Sequence, residues 1–141
     1  MGQYMTFYVK TNANEMIPLK SFTGSSWGFH FGKEKVKLSN EKQPLSQKDI
    51  SAILLAADDA FTITINSIKE HQELLVSYTE DGNKEDTLRI LSILNEENQS
   101  KIEIASALGF YNTLESIISE AKIAGHRNLD DYIYATVVNV E

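Results

Sequence analysis

A chain of 141 residues with 42% apolar and 23% charged side chains is long enough to bury one core and too apolar to be disordered. It has no cysteine, which excludes disulfides and thiolate metal sites. Its formal charge of −7 is unevenly spread: five lysines against two glutamates give +3 over residues 1–40, and the remainder carries −10. That acidic remainder repels phosphate backbones, so nucleic acid is not an expected partner, whereas a basic protein surface is.

The segment from Tyr4 to Lys10 alternates, with Met5, Phe7 and Val9 on one face, which predicts a half-buried strand. Thr11 to Asn14 reads as a turn. Met16 to Leu19 resumes as a short extended piece, placed at a sheet edge because Pro18 lacks a ladder donor. Gly24-Ser25-Ser26 interrupts the chain before Trp27-Gly28-Phe29-His30-Phe31, which fits either a strand or a short helix capped by Ser25.

Ser46 followed by Asp49 and Ile50, with Leu45 in front, marks a helix start with an N-cap and a hydrophobic staple. From Ile50 an apolar step of four and three runs through Leu54, Ala57, Phe61, Thr64, Ile68, His71, Leu75 and Tyr78. That 3.5-residue mean spacing belongs to a helix lying along another helix. Phe61 to Ile65 alternates and is locally strand-like, but the longer pattern outweighs it. The predicted helix, Ser46 to Thr79, is about 50 Å long.

Gly82 and Asn83 then supply a left-handed C-terminal cap and a new N-cap. The second helix carries Leu88, Leu91, Leu94, Asn98, Ile102, Ala105 and Leu108 toward the first. A turn this short makes the helices antiparallel, with facing residue numbers summing to roughly 163. This sets Leu75 by Leu88 and Phe61 by Ile102, and leaves Ile65 and Ile68 opposite the polar run Asn95 to Lys101. Gly109 either breaks this helix, with a third starting near Asn112, or is passed and the helix runs to about Lys122. After Gly125, Tyr132 to Val140 reads as a strand that is apolar on both faces, hence central or covered by helix, and pairs with the first strand.

The expected fold is therefore α+β: one domain over 1–141, a β head from 1–44 and 126–141 forming a small antiparallel sheet, and a long coiled-coil-like antiparallel helical hairpin over 46–124. The longest aliphatic stretch, Ala52 to Ala57, is too short to cross a bilayer, and no charged-then-apolar leader is present, so a cytoplasmic protein is expected.

Chemistry-bearing motifs are scarce. His30, His71 and His126 share no metal-ligand spacing, no nucleotide-binding or nucleophile-elbow sequence occurs, and Asp58-Asp59 and Asp130-Asp131 are adjacent pairs that do not converge on a substrate. No enzyme activity, cofactor or metal is expected. Met1 to Thr6 matches an acylation pattern, but no polybasic patch supplies the second anchor. Lys33, Lys35 and Lys37 alternate near Trp27, a weak single-strand-binding combination that reads better as a solubilised edge.

Two surfaces stand out. Glu80, Asp81, Glu85, Asp86, Glu96 and Glu97 crowd the hairpin tip against Lys84 and Arg89, which suits docking to a basic partner. Leu55 and Ile63 on the first helix, with Ile90, Ile93 and Ile104 on the second, exceed what one seam can bury. Ile63, Ile90, Ile93 and Ile104 are accordingly assigned to a homodimer interface.

The succession Tyr4-Met5-Thr6-Phe7-Tyr8-Val9-Lys10, Ile17-Pro18-Leu19-Lys20-Ser21-Phe22 and Pro44-Leu45-Ser46 before a helical hairpin, closed by Tyr132-Ile133-Tyr134, resembles small uncharacterised proteins of bacterial prophages and mobile elements. The resemblance implies an accessory protein that acts by binding another protein. An inhibitor or modulator of a host protein is the first expectation and a phage assembly component the second.

Overall fold

The computed structural model describes residues 2–37, 39–125 and 128–140. Met1 of the acylation pattern and His126 lie outside the described residues. Strand β1 (Gly2–Lys10) alternates as expected, with Met5 and Phe7 fully buried. The chain reverses through Thr11, whose hydroxyl accepts from the Ala13 and Glu15 amides at 3.2 Å. Asn14 takes a left-handed φ of 62°, which its short polar side chain tolerates. Strand β2 (Met16–Thr23) follows and is longer than the expected 16–19 piece, because Phe22 at its far end turns into the core.

Helix α1 (Trp27–Lys33) resolves the alternative left open at Trp27 to Phe31, and its cap is Ser26 rather than Ser25: the Ser26 hydroxyl accepts from the Phe29 amide at 3.2 Å. Helical winding brings Gly28 and Gly32 onto one face, and both are buried. A β-carbon on Gly28 would sit 2.2 Å from the Phe22 ring, and one on Gly32 would sit 2.5 Å from the Met5 sulfur. The helix can lie this close to the sheet only because both positions lack side chains.

A short strand that the pattern did not announce, β3 (Gln43–Leu45), leads into the helix start. The last strand, β4 (Ile133–Val140), is central as expected, pairing antiparallel with β1 (Tyr4 opposite Val138, Val9 opposite Ile133) and with β3. The sheet order is β2-β1-β4-β3, so Pro18 lies on an edge strand.

The hairpin follows the expected path. Helix α2 (Gln47–Glu80, 34 residues) begins at Ser46, whose hydroxyl accepts from the Asp49 amide at 3.1 Å. Asp130, in a single 3-10 turn (Leu129–Asp131), accepts from the Gln47 amide at 2.9 Å, satisfying another open donor. The helix runs without a break through Phe61 to Ile65. Its end is a Schellman turn: the Asn83 amide donates to Tyr78 and the Gly82 amide to Thr79, with Gly82 at φ 70°. Helix α3 (Lys84–Ile123, 40 residues) is capped by Asn83, which accepts from the Asp86 amide at 3.1 Å, and passes Gly109 unbroken.

The hairpin differs from expectation in which face of α3 meets α2. Of the residues assigned to the seam, Leu88, Leu91 and Ile102 turn outward, 56%, 46% and 68% exposed, while Leu94 is buried and Leu108 packs on the main core as expected. The true seam is one helical position round and recurs every seven residues, through Ile90, Glu97, Ile104, Tyr111 and Ile118. The axial register holds, since Glu97 faces Ser67 and His71 and Leu94 packs near Ile68.

Among the described residues, most buried apolar side chains fall into two clusters. The larger joins the sheet and α1 to the hairpin base and contains Phe7, Phe22 and Tyr111 with Ile50, Ile53 and Ile104. Its aromatic centre, completed by Phe110, has ring centroids 5.4 to 6.1 Å apart. The smaller, toward the tip, is Ile68, Ile90 and Leu94. Between them lies a polar layer. Glu97 accepts a hydrogen bond from the Ser67 hydroxyl and meets His71 Nδ1 at 2.7 Å. The Ile68 mismatch disappears because α3 presents Ile90 and Leu94 to it, while Glu97 supplies the polar contact.

Candidate functional site: the hairpin tip and its open face

The six acidic residues of the tip divide by what they touch. Glu80, Asp81, Glu85 and Glu96 are exposed. Asp86 is half-buried and engaged: it accepts from Asn83 Nδ2 at 2.7 Å and Arg89 at 3.0 Å, a contact that raises the Arg89 pKa. It fixes the α3 start, where negative charge is favourable. Glu97 belongs to the seam, where its side chain is 19% exposed and its carboxylate is turned to Ser67 and His71. Including it in an outward acidic field is corrected. Four of the six remain available to a partner.

The four isoleucines assigned to a dimer interface also separate. Ile90 and Ile104 are 2% and 0% exposed, packed in the tip and base clusters of the single chain, so their assignment to an interface is corrected. The cause is the rotation of α3, which turns its seven-residue repeat inward. Ile93 is half-buried against the tip cluster, and Ile63 stands out at 68% exposure.

The head covers one side of the hairpin base. Phe110 packs on Phe7 and Phe22, and the Trp27 amide donates to Glu103 at 2.9 Å. The other side is bare. There a groove of about 310 Å³ opens between α2 and α3, lined by Ser51, Leu54, Leu55, Asp58, Leu108 and Asn112. Leu55 is 61% exposed, and the same side carries Ile102, Leu91 and Leu88 on α3 and Val76 (58% exposed) on α2. Of these, Leu88, Leu91 and Ile102 were misread as seam, whereas Leu55 was expected off it. Helix α3 has two adjacent apolar stripes, and the buried one carries isoleucine every fourteen residues, at Ile90, Ile104 and Ile118, with Glu97 and Tyr111 between them.

The basic head residues do not form the face expected of an extended segment. Lys33 ends α1 and Lys35 and Lys37 lie in the loop after it; all three are exposed, and Trp27 stacks on Phe31 at 5.7 Å rather than standing free. His30 lies edge-on to Trp27, far from His71 in the hairpin. Among the described residues no group of three or more His, Asp or Glu side chains could hold a metal ion.

On the outer face of the sheet, Lys10 donates to Asp131 at 3.1 Å, which raises the Lys10 pKa, and Tyr134 also donates to Asp131, which raises the tyrosine pKa. Lys10 and Lys42 lie 5.6 Å and 5.0 Å over the Tyr134 and Tyr8 rings, cation–π contacts that clamp the sheet. Comparison with known proteins finds no match: no family model, curated protein or solved structure is similar to the chain.

Proposed function

We propose that this chain is a non-enzymatic accessory protein that binds another protein, presenting the acidic tip of its hairpin to a basic surface. The observation that carries this reading is the placement of Glu80, Asp81, Glu85 and Glu96. Glu80, Asp81 and Glu85 are exposed at the end of an arm that reaches roughly 25 Å past the last α2 side chain packed on the head, and Glu96 is exposed about 18 Å back from that end along α3. Exposed carboxylates add little to stability, so their density at a projecting end suits steering of an oppositely charged partner. The resemblance of the chain's segment order to prophage-encoded proteins favours a modulator of a host protein as the form this binding takes.

The test uses a partner captured from the native host and a variant with Glu80→Gln, Asp81→Asn, Glu85→Gln and Glu96→Gln. Its association rate at low salt should fall about tenfold or more and lose its salt dependence, with the melting temperature unchanged. Glu97→Gln is the contrast: it should lower the melting temperature and leave the association rate alone. An unchanged rate and salt dependence in the fourfold variant overturns the reading.

A further inference from the structure

We infer that the bare side of the hairpin is a self-association surface on which a second copy of this chain lies antiparallel, tip against base, in a two-fold dimer. This goes beyond the tip reading and does not depend on it.

The surface is defined by what the head leaves uncovered. Stepping by three and four along α3 from Leu88 reaches Leu91, Asn95, Asn98, Ile102 and Ala105, and the matching row on α2 holds Leu55, half-buried Ile65 and Val76 between Asp58, Thr62, Lys69 and Gln72, so the face is apolar patches separated by polar side chains. In the most apolar 18-residue window of α2 few residues are fully buried, with Leu54, Ala60 and Phe61 packed partly on the core. Two helices about 50 Å long and about 10 Å wide present about 1,000 Å² on one side, against about 800 Å² per partner in a stable interface. The face is therefore large enough to hold a dimer without help from the head, which packs on the opposite side. Ile63 points away from it.

The charges on this face select the occupant and its direction. Asp58 lines the groove, and Lys69 is exposed on the same side of α2. The midpoint of α2 falls between Ile63 and Thr64, and Asp58 and Lys69 are equidistant from it. A two-fold axis crossing the hairpin there overlaps the two α2 helices along their whole length. It also sets Asp58 against the partner's Lys69, twice by symmetry. A parallel two-fold pairing of the same faces would lay α2 on the partner's α3, where Asp58 and Lys69 do not meet, so this charge pair forms only in the antiparallel arrangement. A lipid surface is the other apolar occupant, and adjacent Asp58 and Asp59 in the middle of the apolar window oppose it.

Light scattering across about 1 to about 100 µM should give twice the single-chain mass of 15.9 kDa at the upper end. Ile102→Glu should raise the dissociation constant at least tenfold with no loss of single-chain melting temperature, because Ile102 is exposed. Asp58→Lys and Lys69→Asp should each weaken the dimer, and the double exchange should restore it. A mass of 15.9 kDa throughout, single exchanges without effect, or a double exchange that fails to restore association overturns the inference. Co-sedimentation of a monomeric chain with phosphatidylglycerol vesicles, abolished by Ile102→Glu, also overturns it.

Discussion

The Tyr111 hydroxyl has no access to water; it donates to the Gly28 carbonyl at 2.6 Å and so ties α1 to α3. Burial pushes its pKa well above the ordinary 10.0, because the phenolate would lose its hydration. The sign follows from which state can ionise. Below pH 10 both folded and unfolded chains keep the proton and stability is full; above it only the unfolded chain releases the proton, so stability falls as pH rises. Lys10 and Tyr134, also raised, act in the same direction. Tyr111→Phe should cost about 1 kcal/mol at pH 7 and make the alkaline decline shallower without removing it, measured by thermal melts from neutral to alkaline pH. Glu97 illustrates what single residues withhold in sequence. Its neighbours Glu96 and Asn98 make it look like part of an acidic surface. Only its place seven residues from both Ile90 and Ile104 shows that it faces the seam, where Ser67 and His71 receive it.

Two glycines in helices show how differently the same residue can serve an element. Gly109 has open space where a β-carbon would go, and the helix runs through it; Gly28 has the Phe22 ring there. Gly109→Ala should stabilise the chain by about 0.5 to 1 kcal/mol by restricting the unfolded backbone. Gly28→Ala should destabilise it by about 1 to 3 kcal/mol or more, since the ring must move; paired denaturation curves check both. The elements that periodicity and caps specify were legible: β1, β4 as a central strand, α2 with Ser46 at its head, and the Gly82–Asn83 turn. Helix α1 was ambiguous because Trp27, Phe29 and Phe31 alternate like a strand, while the decisive i, i+4 glycine pair signals close packing only once the sheet is placed. Strand β3 is three residues long and carries no period to read. The face of α3 was misread because its leucine stripe, interrupted at Asn98, and the inward stripe, interrupted at Glu97, are about equally apolar. The misassignment of Ile90 and Ile104 followed from that choice.

The molecule is a head fused to a lever, and the Ser67–Glu97–His71 layer divides the lever. Among the described residues, from that layer to the tip Ile68, Ile90 and Leu94 are buried together, with Leu75, Tyr78 and Ile93 packed partly against them, compared with eighteen buried side chains in the cluster at the head. A region held by so few apolar contacts opens without the rest of the protein. Amide protons of residues 68–94 should therefore exchange with deuterium faster than those of α2 and α3 at the base, by sub-global opening and not by global unfolding. In an antiparallel pair each of these distal segments lies along the firm base of the other copy. Their exchange should then slow as protein concentration rises while the head's stays constant. The outer half of each hairpin would thus borrow its order from a neighbour, and dilution alone would return it to fluctuation.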